Sequence, residues 1–246
     1  MTDVGEQSFK KIETAPVYRL VFDAIEQQIV LGQLRKGDLL PTETELAEQF
    51  GVNRSTVREG IRSLEQSGFV ERNASKRLQV TIPHFVDLAS RASRALKLHA
   101  VTFRELWEAS TAIEPVTVRY AVERITPGQI AELRRNLAAM EKAIARVDRV
   151  VELDIEFHDI LAQAACNRAL VLAREPISLL FMPAGRAILP KLRTQGRIVS
   201  AHRAILEAVE RRDAMEAETW MRRHMEDFRR GFERTGLDID LPLDQI

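Results

Sequence analysis

The chain has 246 residues, 45% of them hydrophobic and 29% charged, with a formal net charge of zero. This is the make-up of a globular protein with room for one large domain or two smaller ones, and it excludes a global electrostatic pull on nucleic acid, so a nucleic-acid binder built this way has to concentrate its charge locally. The single cysteine, Cys166, excludes an intramolecular disulfide and a multi-cysteine zinc site.

Residues 1–12 read as a mobile tail. The N-terminus is polar and no apolar run reaches the length of a membrane span, so a cytoplasmic protein without membrane association is expected. From Pro16 the pattern turns helical, with Val17, Leu20, Val21, Ala24, Ile25 and Ile29 on one apolar face. Gly32 stops this helix, and Lys36-Gly37-Asp38 reads as a turn.

The stretch LPTETELAEQFGVNRSTVREGIRSLEQSGFVER follows. Thr42 and Glu45 have capping-box spacing, which starts a helix near Glu43 that Gly51 ends. Asn53 caps a second helix, from about Arg54 to Gln66, that ends at Gly68. Two short helices about a glycine turn make a helix-turn-helix. Val57, Ile61 and Leu64 form the inward face of the second helix, leaving Arg58 and Arg62 outward with Arg54, Ser55 and Thr56 at its start. Arginines and small hydroxyls at the N-terminal end of an exposed helix suit major-groove reading. FVER and RLQVTI then predict two strands around NASK, with Val80 and Ile82 on the half-buried face, so the unit reads as a winged helix-turn-helix with Lys76 and Arg77 at the wing tip. Thr42 and Thr44 complete the candidate DNA contacts. Domain boundaries of 13–82 and 83–234 are expected.

The second half lacks strand alternation and reads as six or seven amphipathic helices packed in a bundle, which makes the fold mainly α. Breaks are expected at Pro127-Gly128, Asn167, Pro183, Pro190, Gly196 and Arg212-Asp213, and Pro115 reads as lying early in a helix that it kinks. The acidic end, TGLDIDLPLDQI, is expected to be partly ordered, and Cys166 to be a buried small hydrophobe.

Within the bundle, DIEFH places Asp154 and His158 four apart on one helical face that borders apolar residues. His202 and His224 stand at similar distances before and after the Arg212-Asp213 turn, and in an antiparallel hairpin such residues meet side by side, both helices rising about 1.5 Å per residue. The four side chains would then form one Asp-plus-three-His cluster. Such a set suits a borderline divalent ion, zinc, nickel or manganese among them, in a closed tetrahedral or an open octahedral site. Three unrelated histidines, each satisfied by its own hydrogen bond, is the plainer alternative. His84 and His99 have no assignable partner.

The helix-turn-helix stretch resembles the DNA-binding domain of the GntR superfamily of bacterial transcription regulators. AIEPVTVRYAVERIT, DIEFHDILAQAACN and HRAILEAVERRDAMEAETWMRRHM resemble the C-terminal effector domain of its FadR-type branch. The resemblance implies a homodimer on an inverted-repeat double-stranded DNA operator, a small-molecule effector such as an organic acid, and a metal held by Asp154, His158, His202 and His224. Three positions depart from it: Thr44 and Ser110 stand where many members have arginine, and the wing tip NASKR has no glycine. Without an arginine at Ser110 to clamp a carboxylate, a larger effector or one held chiefly by the metal is favoured. Trp107, Ser110, Arg186 and Met225 are the candidate effector-pocket residues, Arg186 as a substitute for the missing clamp.

A ligand-responsive regulator, acting as a repressor in the manner such a resemblance implies, is therefore the leading expectation, and an enzyme is not. A helical metalloenzyme would leave the helix-turn-helix unexplained; Glu156 points away from the Asp154 face, and neither paired Glu-x-x-His motifs nor a Gly-rich phosphate loop occurs. A third reading keeps DNA binding but gives the metal a purely structural role.

Overall fold

The computed structural model describes residues 15–192 and 194–245, so the tail expected at residues 1–12 lies outside the described residues. The chain divides into two compact units between His84 and Phe85.

The first unit has helices α1 (Val17–Val30), α2 (Glu43–Phe50) and α3 (Arg54–Ser67) and strands β1 (Val70–Arg72) and β2 (Leu78–Val80). The starts of α2 and α3 have the chemistry read from the sequence. The Thr42 hydroxyl accepts from the Glu45 amide while the Glu45 carboxylate accepts from the Thr42 amide, and Asn53 accepts from the Thr56 amide. Gly51 and Gly68 end α2 and α3 at φ of +65° and +79°, values that favour glycine. Val57, Ile61 and Leu64 are completely buried. They meet Val21, Phe22 and Ile25 of α1, whereas Val17 and Leu20, expected on that inward face, are exposed. Gly60 sets how closely α1 and α3 approach: a Cβ there would stand 2.9 Å from a Val21 methyl carbon.

β1 and β2 pair antiparallel with Val70 opposite Val80, and Leu40 donates to the Leu78 carbonyl to add a short third rung. Leu78 and Val80 are buried, but Ile82 lies beyond the strand and is exposed. The wing closes without glycine. Lys76 takes the left-handed conformation at φ +59°, and the Asn73 side chain accepts from the Ser75 and Arg77 amides. An asparagine brace does there what a flexible residue does elsewhere.

The second unit holds seven α-helices among the described residues: α4 (Phe85–Leu98), α5 (Phe103–Arg124), α6 (Pro127–Lys142), α7 (Val147–Ala164), α8 (Arg168–Leu192), α9 (Gln195–Glu210) and α10 (Ala214–Arg234). α5 packs on α10 and α7, α9 on α10 and α6, and α4 on α8. Capping boxes start α5 at Thr102-Glu105 and α6 at Thr126-Gln129. The first of these puts Pro115 in the middle of α5 rather than early in it. Pro183 and Pro190 do not break the chain either. With Pro176 they lie inside α8. Each proline forfeits one backbone bond, and their spacing of seven residues keeps all three along one side of the helix. Gly196, by contrast, is the second residue of α9, next to the boundary between α8 and α9.

Two further expectations are corrected. Cys166 is exposed, in a left-handed turn at φ +49° just after α7. The acidic end docks: Ile239 is buried with Phe103 and Phe232, and Asp240 takes a two-pronged ion pair from Arg104 at 2.6 and 2.9 Å.

Candidate functional site

The α3 surface of the first unit carries the residues singled out for DNA. Arg54, Ser55, Arg58 and Arg62 are exposed, as are Thr42 just before α2, Thr44 on it, and Lys76 and Arg77 on the wing; Thr56 is half-buried. Several of these groups are already engaged. Thr42 is committed to its capping box, and the Ser55 hydroxyl donates to Asn53 at 2.7 Å. Glu43, at the start of α2, gathers three arginines: Arg58 at 3.2 Å, Arg72 at 3.3 Å and Arg54 at 3.6 Å. Partial burial opposes the Glu43 charge, but hydrogen bonds from Arg58 and Arg72 and their charges outweigh it and hold the carboxyl below its usual range. Sequence reading missed Glu43. Its signal was an acid in the first turn of a helix that abuts an arginine-rich helix start.

In the second unit, α7 supplies Asp154 and His158, α9 supplies His202 and α10 supplies His224. Each offers a ligand atom, and the four lie within 4.8 Å of one another. Asp154 Oδ1 is 3.1 Å from His202 Nε2 and 3.5 Å from His224 Nε2, and the two imidazole nitrogens are 3.4 Å apart. A tetrahedral site with ligand bonds near 2.0–2.1 Å needs edges of about 3.3 Å, and an octahedral one about 3.0 Å. Two polar atoms are otherwise orphaned in this apolar setting: Asp154 Oδ1 and His202 Nδ1 are buried with no hydrogen-bond partner. A cation among these donors gives the carboxylate oxygen what it lacks, so the residues fit a divalent ion.

The physical state of the cluster also suits a metal. Burial opposes the Asp154 charge, but the His202 and His224 imidazoles set against it keep its carboxyl well below the usual carboxylate range. Burial pushes His202 down to about 4, so that its ring is neutral near neutral pH and has a lone pair to give. Phe157 stacks on the His202 ring at 4.1 Å and fixes its plane.

Behind the cluster lies a second polar ring that the sequence reading missed. His158 Nδ1 is 3.0 Å from Glu114 Oε2 on α5, Arg174 Nε of α8 donates to Glu114 Oε1 at 2.7 Å, and Arg174 Nη1 donates to Asp159 at 2.5 Å. Glu114 is buried, which raises its pKa, but the Arg174 and His158 charges and hydrogen bonds bring it down to about 2. One signal was present in the sequence: Ser110, Glu114 and Thr117 are polar residues at helical spacing on the buried face of α5.

A pocket opens beside this cluster, with empty space of about 1150 Å³ including its mouth. Asp154, His158 and His224 line it together with Glu114, Arg174 and Ser110. Its walls are otherwise largely apolar, from Ile113, Ile155, Phe181, Leu189 and Phe228. Of the four candidate effector residues, Ser110 and Met225 line this pocket. Trp107 does not; its indole donates to the Met225 carbonyl at 3.1 Å. Arg186 does not either, because Asp148 and Glu152 hold it at the surface. The pocket's buried arginine is Arg174. Glu156 is exposed and does not line the pocket.

Residues 17–80 match the family model for bacterial regulatory proteins of the gntR family, and residues 105–227 match the FCD domain. The HTH-type transcriptional repressor NanR of Cronobacter sakazakii is 28% identical over 212 residues, covering 84% of this chain and 81% of that protein. NanR of Salmonella newport is also 28% identical, with the same two coverages. Among solved structures, Streptococcus agalactiae GntR shares the fold with a TM-score of 0.59 and 24% identity, over 87% of this chain and 99% of that one.

Proposed function

Because the chain belongs to the gntR family of bacterial regulatory proteins and carries that family's FCD domain, we propose that it is a ligand-responsive transcription repressor that binds an inverted-repeat DNA operator as a homodimer. Residues 13–82 serve as the DNA-binding domain and 83–234 as the effector-binding and dimerisation domain. Arg54, Ser55, Thr56, Arg58 and Arg62 of α3 meet the major groove. Lys76 and Arg77 reach phosphate or the minor groove, and Thr42 and Thr44 contact the backbone. Phosphate oxygens compete with Glu43 for its arginines, so the ion pairs of the free protein are exchanged rather than lost.

Asp154, His158, His202 and His224 would hold a divalent ion, zinc first and nickel or manganese as alternatives, which would offer a Lewis-acidic position to an effector oxygen. The chain's own groups do the rest. Arg174 and Ser110 present hydrogen-bond donors beside the cluster, and the apolar wall excludes water and takes the body of the effector. An organic acid whose carbon skeleton is larger than a small hydroxy acid fits this balance. Binding there favours one arrangement of the paired DNA-binding domains over another, which shifts operator affinity. The observation that carries the reading is that three of the four donors, Asp154, His158 and His224, line a largely apolar pocket, rather than the whole cluster being sealed in the core. That favours a sensing role over a purely structural ion.

Elemental analysis of untagged protein prepared without added metal tests it, with His202→Ala alongside. About one equivalent per chain, absent from the variant, is expected. Operator-binding shift assays across a set of organic acids should then find one that releases the DNA. Folded protein that takes up no zinc, nickel or manganese would remove the metal from the proposal. A metal whose chelation unfolds the second unit, with no acid changing operator affinity, would make it structural.

A further inference from the structure

We propose that Glu114 is a positioning residue for the metal: it fixes which nitrogen of His158 carries the proton, and Arg174 is what makes a carboxylate, and no neutral isostere, able to do so. The inference rests on the metal site proposed above. A guanidinium only donates, so the Glu114 oxygen facing Arg174 Nε at 2.7 Å has to accept. The other oxygen, 3.0 Å from His158 Nδ1, also only accepts while the carboxyl is ionised. Nδ1 is therefore the protonated nitrogen of the neutral ring, and the lone pair sits on Nε2, the nitrogen left to face Asp154, His202 and His224. That is the form a metal takes.

The same hydrogen-bond logic predicts an unusual failure. Glu114→Gln keeps the size and shape of the side chain but gives it one accepting and one donating end. Arg174 Nε claims the amide oxygen, and Nη1 is already tied to Asp159 at 2.5 Å, which holds the guanidinium in place. The amide nitrogen then faces Nδ1, which has to accept. The proton moves to Nε2 and blocks the lone pair that would ligate. With Arg174→Met in addition, nothing demands the oxygen, the amide can turn, and Nδ1 donates again.

Two measurements read this out. Histidine nitrogen NMR of the metal-free protein, at a pH that leaves the ring neutral, reports the His158 tautomer. Competition titration with Zn²⁺ against a chromophoric chelator reports affinity. The wild-type protein and Arg174→Met should show the Nδ1–H form and similar affinities. Glu114→Gln should show the Nε2–H form and an affinity about 10–100-fold weaker, and Glu114→Gln with Arg174→Met should recover most of both. An unchanged tautomer in Glu114→Gln, zinc affinity equal to wild type, or equal weakening in Arg174→Met would overturn the inference, the last because it would mark packing damage alone. Wild-type protein that binds no Zn²⁺ would instead sink the metal site, while the tautomer readout still judged Glu114. If Glu114→Gln does not fold, the double variant and Arg174→Met still decide it, since the inference requires near wild-type tautomer and affinity in both.

Discussion

Each unit is organised about one carboxylate, and the two work in opposite ways. Glu43 sits at a surface and gathers three arginines from two elements, at 3.2 to 3.6 Å, through side chains that are about half exposed. Glu114 is buried and shares its two oxygens between one arginine and one histidine, at 2.7 and 3.0 Å. The first arrangement is exchangeable, because a phosphate can take over any of the arginines with little loss. The second is fixed, because both oxygens of a buried carboxylate are already committed, one to Arg174 and one to His158. A surface that has to accept DNA and a site that has to hold donor atoms in place need those two different uses of the same chemistry.

The strongest challenge to this contrast is to loosen the fixed site. Phe157 is fully buried and stacks on His202. Phe157→Ala should cost about 3–5 kcal/mol of stability in denaturant unfolding of the second unit, and it should weaken zinc binding because the His202 ring loses its support. A variant that binds zinc normally would show that the cluster does not depend on packing for its geometry.

Next in size is a probe of the exchangeable surface. Arg58→Ala should weaken operator binding by about 1–3 kcal/mol, read by titration at fixed salt, if the arginine contacts a base. Stability should hardly change, because the arginine is exposed and Glu43 keeps Arg54 and Arg72. A large loss of stability would mean that this surface is as fixed as the bundle's interior.

Smaller again is the helix start beneath that surface. The Thr42 hydroxyl takes the Glu45 amide at 3.3 Å, and the Glu45 carboxylate returns to the Thr42 amide at 2.7 Å. Thr42→Ala breaks one arm of this box and should destabilise the first unit by about 1 kcal/mol, seen as a lower urea midpoint. It also tilts the platform on which Glu43 stands, so operator affinity should fall slightly with it.

How much of each unit could be read from the chain follows the same divide. The first unit was legible because its signals are local. A cap at Thr42 or Asn53 and a stop at Gly51 or Gly68 act within a few residues, and the inward triad Val57, Ile61 and Leu64 repeats within one helix. Only its edges differed, where burial of Val17, Leu20 and Ile82 depended on neighbours that periodicity does not report. In the bundle the helix count and the breaks at Pro127-Gly128, Asn167 and Arg212-Asp213 were legible, but those expected at Pro183 and Pro190 do not occur, since tertiary packing lets α8 run through Pro176, Pro183 and Pro190. Asp154 and His158 share a helix, and the hairpin brought His202 and His224 into the argument. Glu114 and Arg174 come from α5 and α8, 60 residues apart, and no local pattern pairs them. Arg186 was chosen for its position and lost to charges on α7 that hold it at the surface.

The smallest expected effect separates the two carboxylates by pH. The Glu43 carboxyl is held below its ordinary value in the folded protein: partial burial raises it, and the hydrogen bonds and charges of Arg58 and Arg72 outweigh that. A depressed carboxylate stabilises the fold at pH above its unfolded value and loses that contribution as pH falls through its folded value. Acidification below about 4.5 should therefore lower the stability of the first unit. The arginines stay charged throughout, so between Glu43 and its three arginine partners the carboxylate is the group that changes charge. The size should be about 1 kcal/mol or less, because solvent screens an ion pair at a surface. Glu43→Gln removes both the contribution and its pH dependence, so wild type and variant should converge as the pH drops. Thermal unfolding of both proteins across that range checks it, and parallel curves would mean that Glu43 holds its arginines no more tightly than water does.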